Sequence, residues 1–213
     1  RCYHKNGERY SNAEAFLRQA EGRPNLTVIT EAQATRLLFD GKTAVGVRYF
    51  KDGVYQEALA ACEVILAAGT IGSPHLLLVS GVGPAAELKP FQVERVHDLP
   101  GVGKNLQDHL DVFVTVHSRT RLGQSLHPLG LWRTLKAIFK YLFFRTGEMT
   151  SNVAEAGGFL KSKPEEPIPD IQWHFVPLVN SNHALELGNL IKYFGYSIMT
   201  CDLRPQSRGS VSL

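Results

Sequence analysis

Hydrophobic positions change period several times along this chain, and each change predicts a different element. Behind Ser11-Asn-Ala-Glu14, apolar residues recur at Ala13, Phe16, Leu17 and Ala20. That i, i+3, i+4, i+7 spacing predicts a short amphipathic helix. Ser11 and Glu14 form the capping-box pattern that satisfies the first N–H groups reciprocally. After Arg23-Pro-Asn25 the runs become strand-like: Leu26–Thr30, Ala34–Phe39, Ala44–Phe50 and Val54–Ala60. Asp40-Gly41 and Asp52-Gly53 separate the last three and predict tight turns, hence an antiparallel meander.

Cys62–Ala68 is apolar almost throughout, as expected of a strand covered on both faces. It leads into Gly69-Thr-Ile-Gly-Ser-Pro74, and then an apolar stretch from His75 to Ser80 is followed by Gly81. Ser73 as N-cap, Pro74 at the first helical position and Gly81 past the end predict a helix there. Alternation returns from Leu110 to Ser118, with Leu110, Val112, Val114 and Val116 on one face of a half-buried strand. Leu129–Thr146 reads as a helix of about five turns. Short strands are predicted near Gly157–Leu160, Asp170–Val176 and Tyr196–Leu203. The mixture predicts an α/β first part, residues 1–110, and an antiparallel α+β second part, residues 111–213.

With 44% apolar and 20% charged residues, the 213-residue chain has the composition of an ordinary globular protein, which excludes disordered and collagen-like classes. Its formal charge of +3 is too small for the basic stripe of a nucleic-acid binder. Cys2, Cys62 and Cys201 lack CxxC spacing and read as reduced thiols, and the eight histidines show no metal-ligand spacing. No apolar run reaches the roughly 20 residues needed to span a bilayer, so the chain reads as soluble and cytoplasmic. It begins at Arg1 without Met and ends inside the strand-like Gly209–Leu213, which predicts an internal piece of a longer protein.

The densest chemical signal is Val64–Gly83. A strand ending in Ala67-Ala68-Gly69 runs straight into a helix, so small side chains and helix N–H groups face whatever lies over the turn. That geometry suits a dinucleotide, and it equally suits tight packing of a strand on a helix. Nearby, Gly81-Val-Gly-Pro-Ala-Ala86 matches GxGxxA, yet Pro84 sits where turn N–H groups are needed and Asp98 comes too early to be the ribose acid. Gly101-Val-Gly-Lys104 fails as a Walker loop because Asn105 stands where Ser or Thr is required.

Taken together, Gly69–Gly83, Leu99-Pro-Gly-Val-Gly-Lys-Asn-Leu-Gln-Asp-His109, Asn152–Phe159, Pro169–Phe175 and Leu203–Gly209 resemble, in order, motifs of the glucose–methanol–choline (GMC) oxidoreductases. Within that family the likeness is to choline dehydrogenases and bacterial FAD-dependent alcohol dehydrogenases. The resemblance implies a partial FAD-binding, Rossmann-like domain with an antiparallel meander, joined to part of an antiparallel-sheet substrate domain. It also implies oxidation of a primary alcohol by hydride transfer to flavin N5, with a quinone or oxygen as electron acceptor. FAD would meet Ala34 at its adenine edge and Ala67, Ala68 and Gly69 along its ribose and phosphates. No catalytic residue is expected within the chain; the catalytic His is expected beyond Leu213. A non-redox lyase on the same scaffold, or a non-catalytic binding module, is the alternative.

Glu155 stands among small apolar neighbours, either as a surface carboxylate or, as the resemblance implies, in the substrate cavity where it would attract a quaternary ammonium. His174, alternating with Trp173 and Phe175, either packs or lines the same cavity. The 129–146 helix carries Trp132, Leu135, Phe139, Leu142 and Phe143 on one side, with Arg133, Lys136, Lys140 and Arg145 beside them. Such a stripe is either a core face or a surface for peripheral contact with the inner face of an anionic membrane.

Overall fold

The computed structural model describes residues 3–120, 123, 125, 130–179 and 192–213. From the N-terminus the elements are β1 (Tyr3–Lys5), β2 (Glu8–Tyr10), a π-wound turn Ala13–Leu17 running into α1 (Arg18–Ala20), β3 (Gln33–Asp40), β4 (Thr43–Lys51) and β5 (Val54–Leu59). There follow α2 (Gly69–Val79), β6 (Val82–Gly83), α3 (Ala85–Leu88), β7 (His97–Asp98), β8 (Asp111–His117), α4 (Leu131–Phe144), β9 (Ala156–Leu160), β10 (Ile171–Val176) and β11 (Gly195–Asp202). They form two compact units, each discontinuous in sequence. One holds Thr27–Asp108 with Gln206–Leu213; the other holds Arg1–Leu26 with His109–Pro205. Leu129 and Cys2 lie outside the described residues.

In the Thr27–Asp108 unit, β3, β4 and β5 make the expected antiparallel meander. Its turns carry the backbone that their sequences call for. Asp52 and Gly53 both have positive φ (52° and 81°), as a type I′ hairpin requires, while Gly41 (φ 58°) bends the other turn. β3 is held to α2 by Ser80, which is fully buried. Its hydroxyl donates to the Leu76 carbonyl at 2.6 Å and accepts the Leu37 N–H at 2.8 Å. Leu78, Val82, Leu88 and Val102 form the core, with Phe39, Leu77, Val96 and Leu213 packed against it.

Three expectations for this unit need correction. Residues 26–30 form no strand and are exposed. Cys62–Ala68 is not a ladder strand either: among the described residues nothing pairs with it, and Ile65 is 77% exposed. An apolar run acquires strand hydrogen bonds only from neighbours on its flanks. Finally, α2 begins one turn earlier than predicted. Ser73 is no N-cap but lies within the helix, where its hydroxyl accepts the Ala68 N–H at 3.1 Å, and Pro74 is an interior residue.

In the His109–Pro205 unit, the sheet order is β8-β11-β10-β9, antiparallel throughout. The register sorts its side chains. Val112, Val114, Ile198, Thr200, Trp173 and Phe175 share one face, while Phe113, Thr115, Ser197, Met199, His174 and Val176 share the other. The alternation read along β8 is present, but Val112 and Val114 are 57% and 55% exposed, on the open side of an edge strand, whereas Asp111, Phe113 and Thr115 are half-buried. Burial centres on Val176, Val179, Ser197 and Cys201. The Ser197 hydroxyl donates to the Leu178 carbonyl at 3.0 Å and lies 3.1 Å from the Thr115 hydroxyl. Burial, then the Asp111 carboxylate, pushes the Cys201 thiol up, which keeps it protonated and unreactive.

The segment between β9 and β10 is closed by Asp170, whose carboxylate accepts both the Ser162 hydroxyl and, at 2.7 Å, the Ser162 N–H. These two bonds, with a smaller contribution from Arg204, hold the Asp170 carboxyl below the ordinary aspartate range. A carboxyl lowered by folding stabilises above its unfolded pKa and loses that contribution as pH falls through the folded value. We therefore expect Asp170→Asn to flatten the acid limb of the melting-temperature profile below about pH 4, where aspartate titrates. An unchanged acid limb would show that the closure contributes nothing to acid stability.

Candidate functional site

Ala67, Ala68 and Gly69 lie where the chain enters α2, and all three are exposed. Gly69 has φ +81°, a left-handed conformation that a side chain strains, and a Cβ there would meet nothing within 4 Å. Small residues therefore leave the backbone open beside the first turn of an 11-residue helix, whose N-terminal N–H groups favour negative charge.

A second segment lines a cleft with Thr70 and Pro74 of α2. Gly103 accepts the Val211 N–H at 2.7 Å, and Leu106 and Gly209 exchange bonds of 3.0 and 2.7 Å. Gly103 (φ +75°) is required for this approach, since a Cβ would stand 2.1 Å from the Val211 carbonyl oxygen. The joined loops line an open cleft of about 300 Å³ with Thr70, Pro74, Lys104, Asn105, Leu106 and Gln107. Lys104, ion-paired with Glu87, is the cation of this wall. Thr70, Lys104, Asn105 and Gln107 were not singled out as site residues from sequence. The polar loop 101–109 was the available signal, but its contact with 209–211 spans about half the chain.

The residues present fit one wall of a dinucleotide site. Exposed small-residue backbone lies at the start of α2, and beside the helix's first residues the cleft with Lys104 has a volume at the lower end of the roughly 300–1,000 Å³ of small-molecule sites. Ala34 is exposed on β3, where it pairs with Tyr49 of β4 beside a bulge; β3 is an edge strand, so its other side carries no ladder within this sheet. The GxGxxA stretch has no such role. Its Gly83 belongs to a two-residue parallel pair, β6 with β7, which was not foreseen, and Asp98 at the end of β7 accepts the Ala85 N–H at 3.0 Å. That acid caps α3.

In the other unit, Glu155 lies just before β9 and His174 lies on β10. The Glu155 N–H donates to the Phe175 carbonyl at 3.2 Å, although Phe175 is the ladder partner of Ala156, so Glu155 stands one residue out of the β9–β10 register. Gly157, two residues on, pairs with His174. Glu155 is exposed and His174 half-buried. The two glycines explain the local sequence. A Cβ on Gly158 would stand 2.7 Å from Trp173 Nε1, and one on Gly157 would stand 2.8 Å from the Trp173 carbonyl oxygen. The pair thus lets β9 approach Trp173 closely, at its indole and at its backbone. Val153, two residues before Glu155, holds φ +74°, rare for a β-branched residue, with its N–H on the Ser151 hydroxyl at 3.0 Å.

Residues 1–111 match the family model described as GMC oxidoreductase. The chain is 46% identical over 213 residues to an alcohol dehydrogenase [acceptor] of Pseudomonas putida, covering 98% of this chain and 38% of that protein. It is 44% identical over 211 residues to an oxygen-dependent choline dehydrogenase of the same species, covering 97% and 36%. The chain thus spans under two fifths of the length of these relatives. Among solved structures, a variant of Aspergillus oryzae formate oxidase superposes with a TM-score of 0.81 at 24% identity, covering 100% of this chain and 40% of that one. Pyridoxine 4-oxidase from Mesorbium loti superposes at 0.71 and 23%, covering 99% and 37%. These likenesses show a shared fold, and with the family-model match over residues 1–111 they establish that the chain belongs to the GMC oxidoreductase family.

Proposed function

We propose that this chain is the middle part of a longer FAD-dependent oxidoreductase that oxidises a primary alcohol, choline or an aliphatic alcohol, to the aldehyde. The observation that carries the reading is identity of 46% and 44% to alcohol and choline dehydrogenases across 97–98% of the chain. The unpaired apolar run 62–68 supports a longer protein, since a parallel strand at that place needs partners. A division near residue 110, with 1–110 in the FAD-binding part and 111–213 in the substrate part, has support in the family-model match to 1–111.

In this reading the backbone of Ala67, Ala68 and Gly69 follows the ribose and phosphates of FAD. The α2 N-terminus and Lys104 offset phosphate charge, and the Ala34 backbone meets the adenine edge. A bound flavin supplies the acceptor, at N5, for the hydride leaving the alcohol carbon. The protein's work is orientation. Glu155 attracts a cationic alcohol, and His174 lines the same pocket. The base for the hydroxyl proton is expected beyond Leu213. The electrons pass on to a quinone or to oxygen.

The test is anaerobic. The full-length protein should purify yellow, and its flavin absorbance should bleach on adding choline or a primary aliphatic alcohol. A yellow protein that no alcohol bleaches would point to non-redox use of the scaffold, and a colourless one that takes up no FAD would overturn the cofactor assignment.

A further inference from the structure

Val153 holds a backbone conformation that its own side chain disfavours. Among the described residues seven non-glycine positions have positive φ. Six of them lie at 52–62°, in the ordinary left-handed region, and none of the six is β-branched. Val153 stands apart at 74° with a branched, stiff side chain, where glycine would sit without strain. An outlier of this kind persists only where its surroundings over-determine it, and such places cluster at functional sites.

The surroundings of Val153 fix the chain on both sides. Before it, the tight turn Glu148–Thr150 is closed by the Thr150 N–H and hydroxyl, which both donate to the Gly147 carbonyl, at 3.0 and 2.7 Å. Glu148 fastens that turn to α4 through Arg133 at 2.9 Å. The Ser151 N–H then donates to the Glu148 carbonyl at 3.2 Å, and the Ser151 hydroxyl accepts the Val153 N–H at 3.0 Å. After it, the Glu155 N–H is held on the Phe175 carbonyl of β10 at 3.2 Å. Residues 152–154 bridge these anchors, and Val153 makes the one left-handed step between them.

The Glu155 side chain has no hydrogen-bond or ion-pair partner among the described residues. Its carboxylate therefore takes its place from the backbone beneath it. A glycine at 153 would let the link sample both hands, whereas valine, held by Ser151, keeps one. We infer that Val153 is a positioning residue, whose left-handed backbone fixes the point from which Glu155 meets the ammonium group of a cationic alcohol. The inference rests on the reading of Glu155 as the residue that attracts that group.

Val153→Gly in the full-length enzyme is the test, because it removes the strain and the restraint together. Its melting temperature should match or exceed that of the wild type, although glycine ordinarily costs stability by loosening the unfolded chain. KM for choline should rise about three- to tenfold, with kcat and the KM for a neutral primary alcohol within about twofold. Val153→Ile, which keeps the β-branch, should behave as the wild type. Ser151→Ala, which removes the acceptor of the Val153 N–H, should give the same selective rise without touching residue 153. In the Glu155→Gln background, Val153→Gly should leave KM for choline within about twofold, because no carboxylate remains to be positioned. A lowered melting temperature with both KM values raised alike would make Val153 merely structural and overturn the inference. So would a choline effect that persists in the Glu155→Gln background. If Val153→Gly leaves KM for choline unchanged while Glu155→Gln raises it, the positioning fails and the reading of Glu155 stands. If Glu155→Gln itself leaves KM for choline unchanged, that reading falls and the inference falls with it.

Discussion

Gly81→Ala should be among the most destabilising single-methyl changes in the Thr27–Asp108 unit. Gly81 follows α2 with φ +89°, and a Cβ there would stand 2.1 Å from the Glu94 carbonyl oxygen and 3.1 Å from the Val96 N–H nitrogen. The chain has no room to withdraw, because the Gly81 carbonyl accepts the N–H groups of both Val96 and His97, at 2.8 and 3.1 Å. These bonds align β6 with β7 beside the buried Leu78 and Val82. The substitution therefore combines backbone strain with a clash against backbone atoms, and a loss above about 4 kcal/mol is expected. Gly53→Ala separates the two causes: its φ is +81°, but nothing lies within 4 Å of the added carbon. It should cost only the conformational strain, roughly 1–2 kcal/mol. Denaturant unfolding of the full-length protein measures both. Equal losses for the two variants would show that the Gly81 contact with Glu94 has no energetic weight.

What could be read from sequence divides by range. The meander was legible because its turn chemistry is local: Asp52-Gly53 and Gly41 name the backbone that their turns need. Asn6-Gly7 held the same kind of signal. Asn6 and Gly7 have φ 54° and 74° and join β1 to β2, yet three-residue strands of mostly polar residues offered no alternation to support it. Features set by distant partners were not legible. Nothing in Cys62–Ala68 tells whether strands flank it. The apolar periodicity of β8 and α4 gave the stripes but not their direction, and both face outward. On the site side, the Gly69 turn was found from its small residues, whereas Lys104 and Asn105 reach their cleft through a loop that is fixed only when Gly103 meets Val211. Glu155 and His174 were singled out separately. That Glu155 is bonded through its N–H to Phe175, next to His174, follows from the pairing of β9 with β10, which alternation within either strand does not set.

The second large effect falls at this place: Glu155→Gln should raise KM for choline by about tenfold or more while leaving KM for a neutral primary alcohol of similar size within about twofold. A carboxylate about 5 Å from a quaternary ammonium contributes a few kcal/mol at the effective dielectric of a protein surface. Exposure of Glu155 reduces this contribution through solvent screening. One to two kcal/mol remains once substrate covers the site, which corresponds to about a tenfold change in affinity. Glutamine keeps the shape and the bond to the Phe175 carbonyl, which comes from the backbone N–H of residue 155. The variant thus removes charge and little else. Steady-state kinetics on the two alcohols with the full-length enzyme decides the matter, with flavin content as the control for folding. A parallel rise in both KM values would make Glu155 a structural residue of the sheet edge. A selective rise for choline would place its carboxylate against the substrate cation, in a pocket whose neighbouring wall is His174.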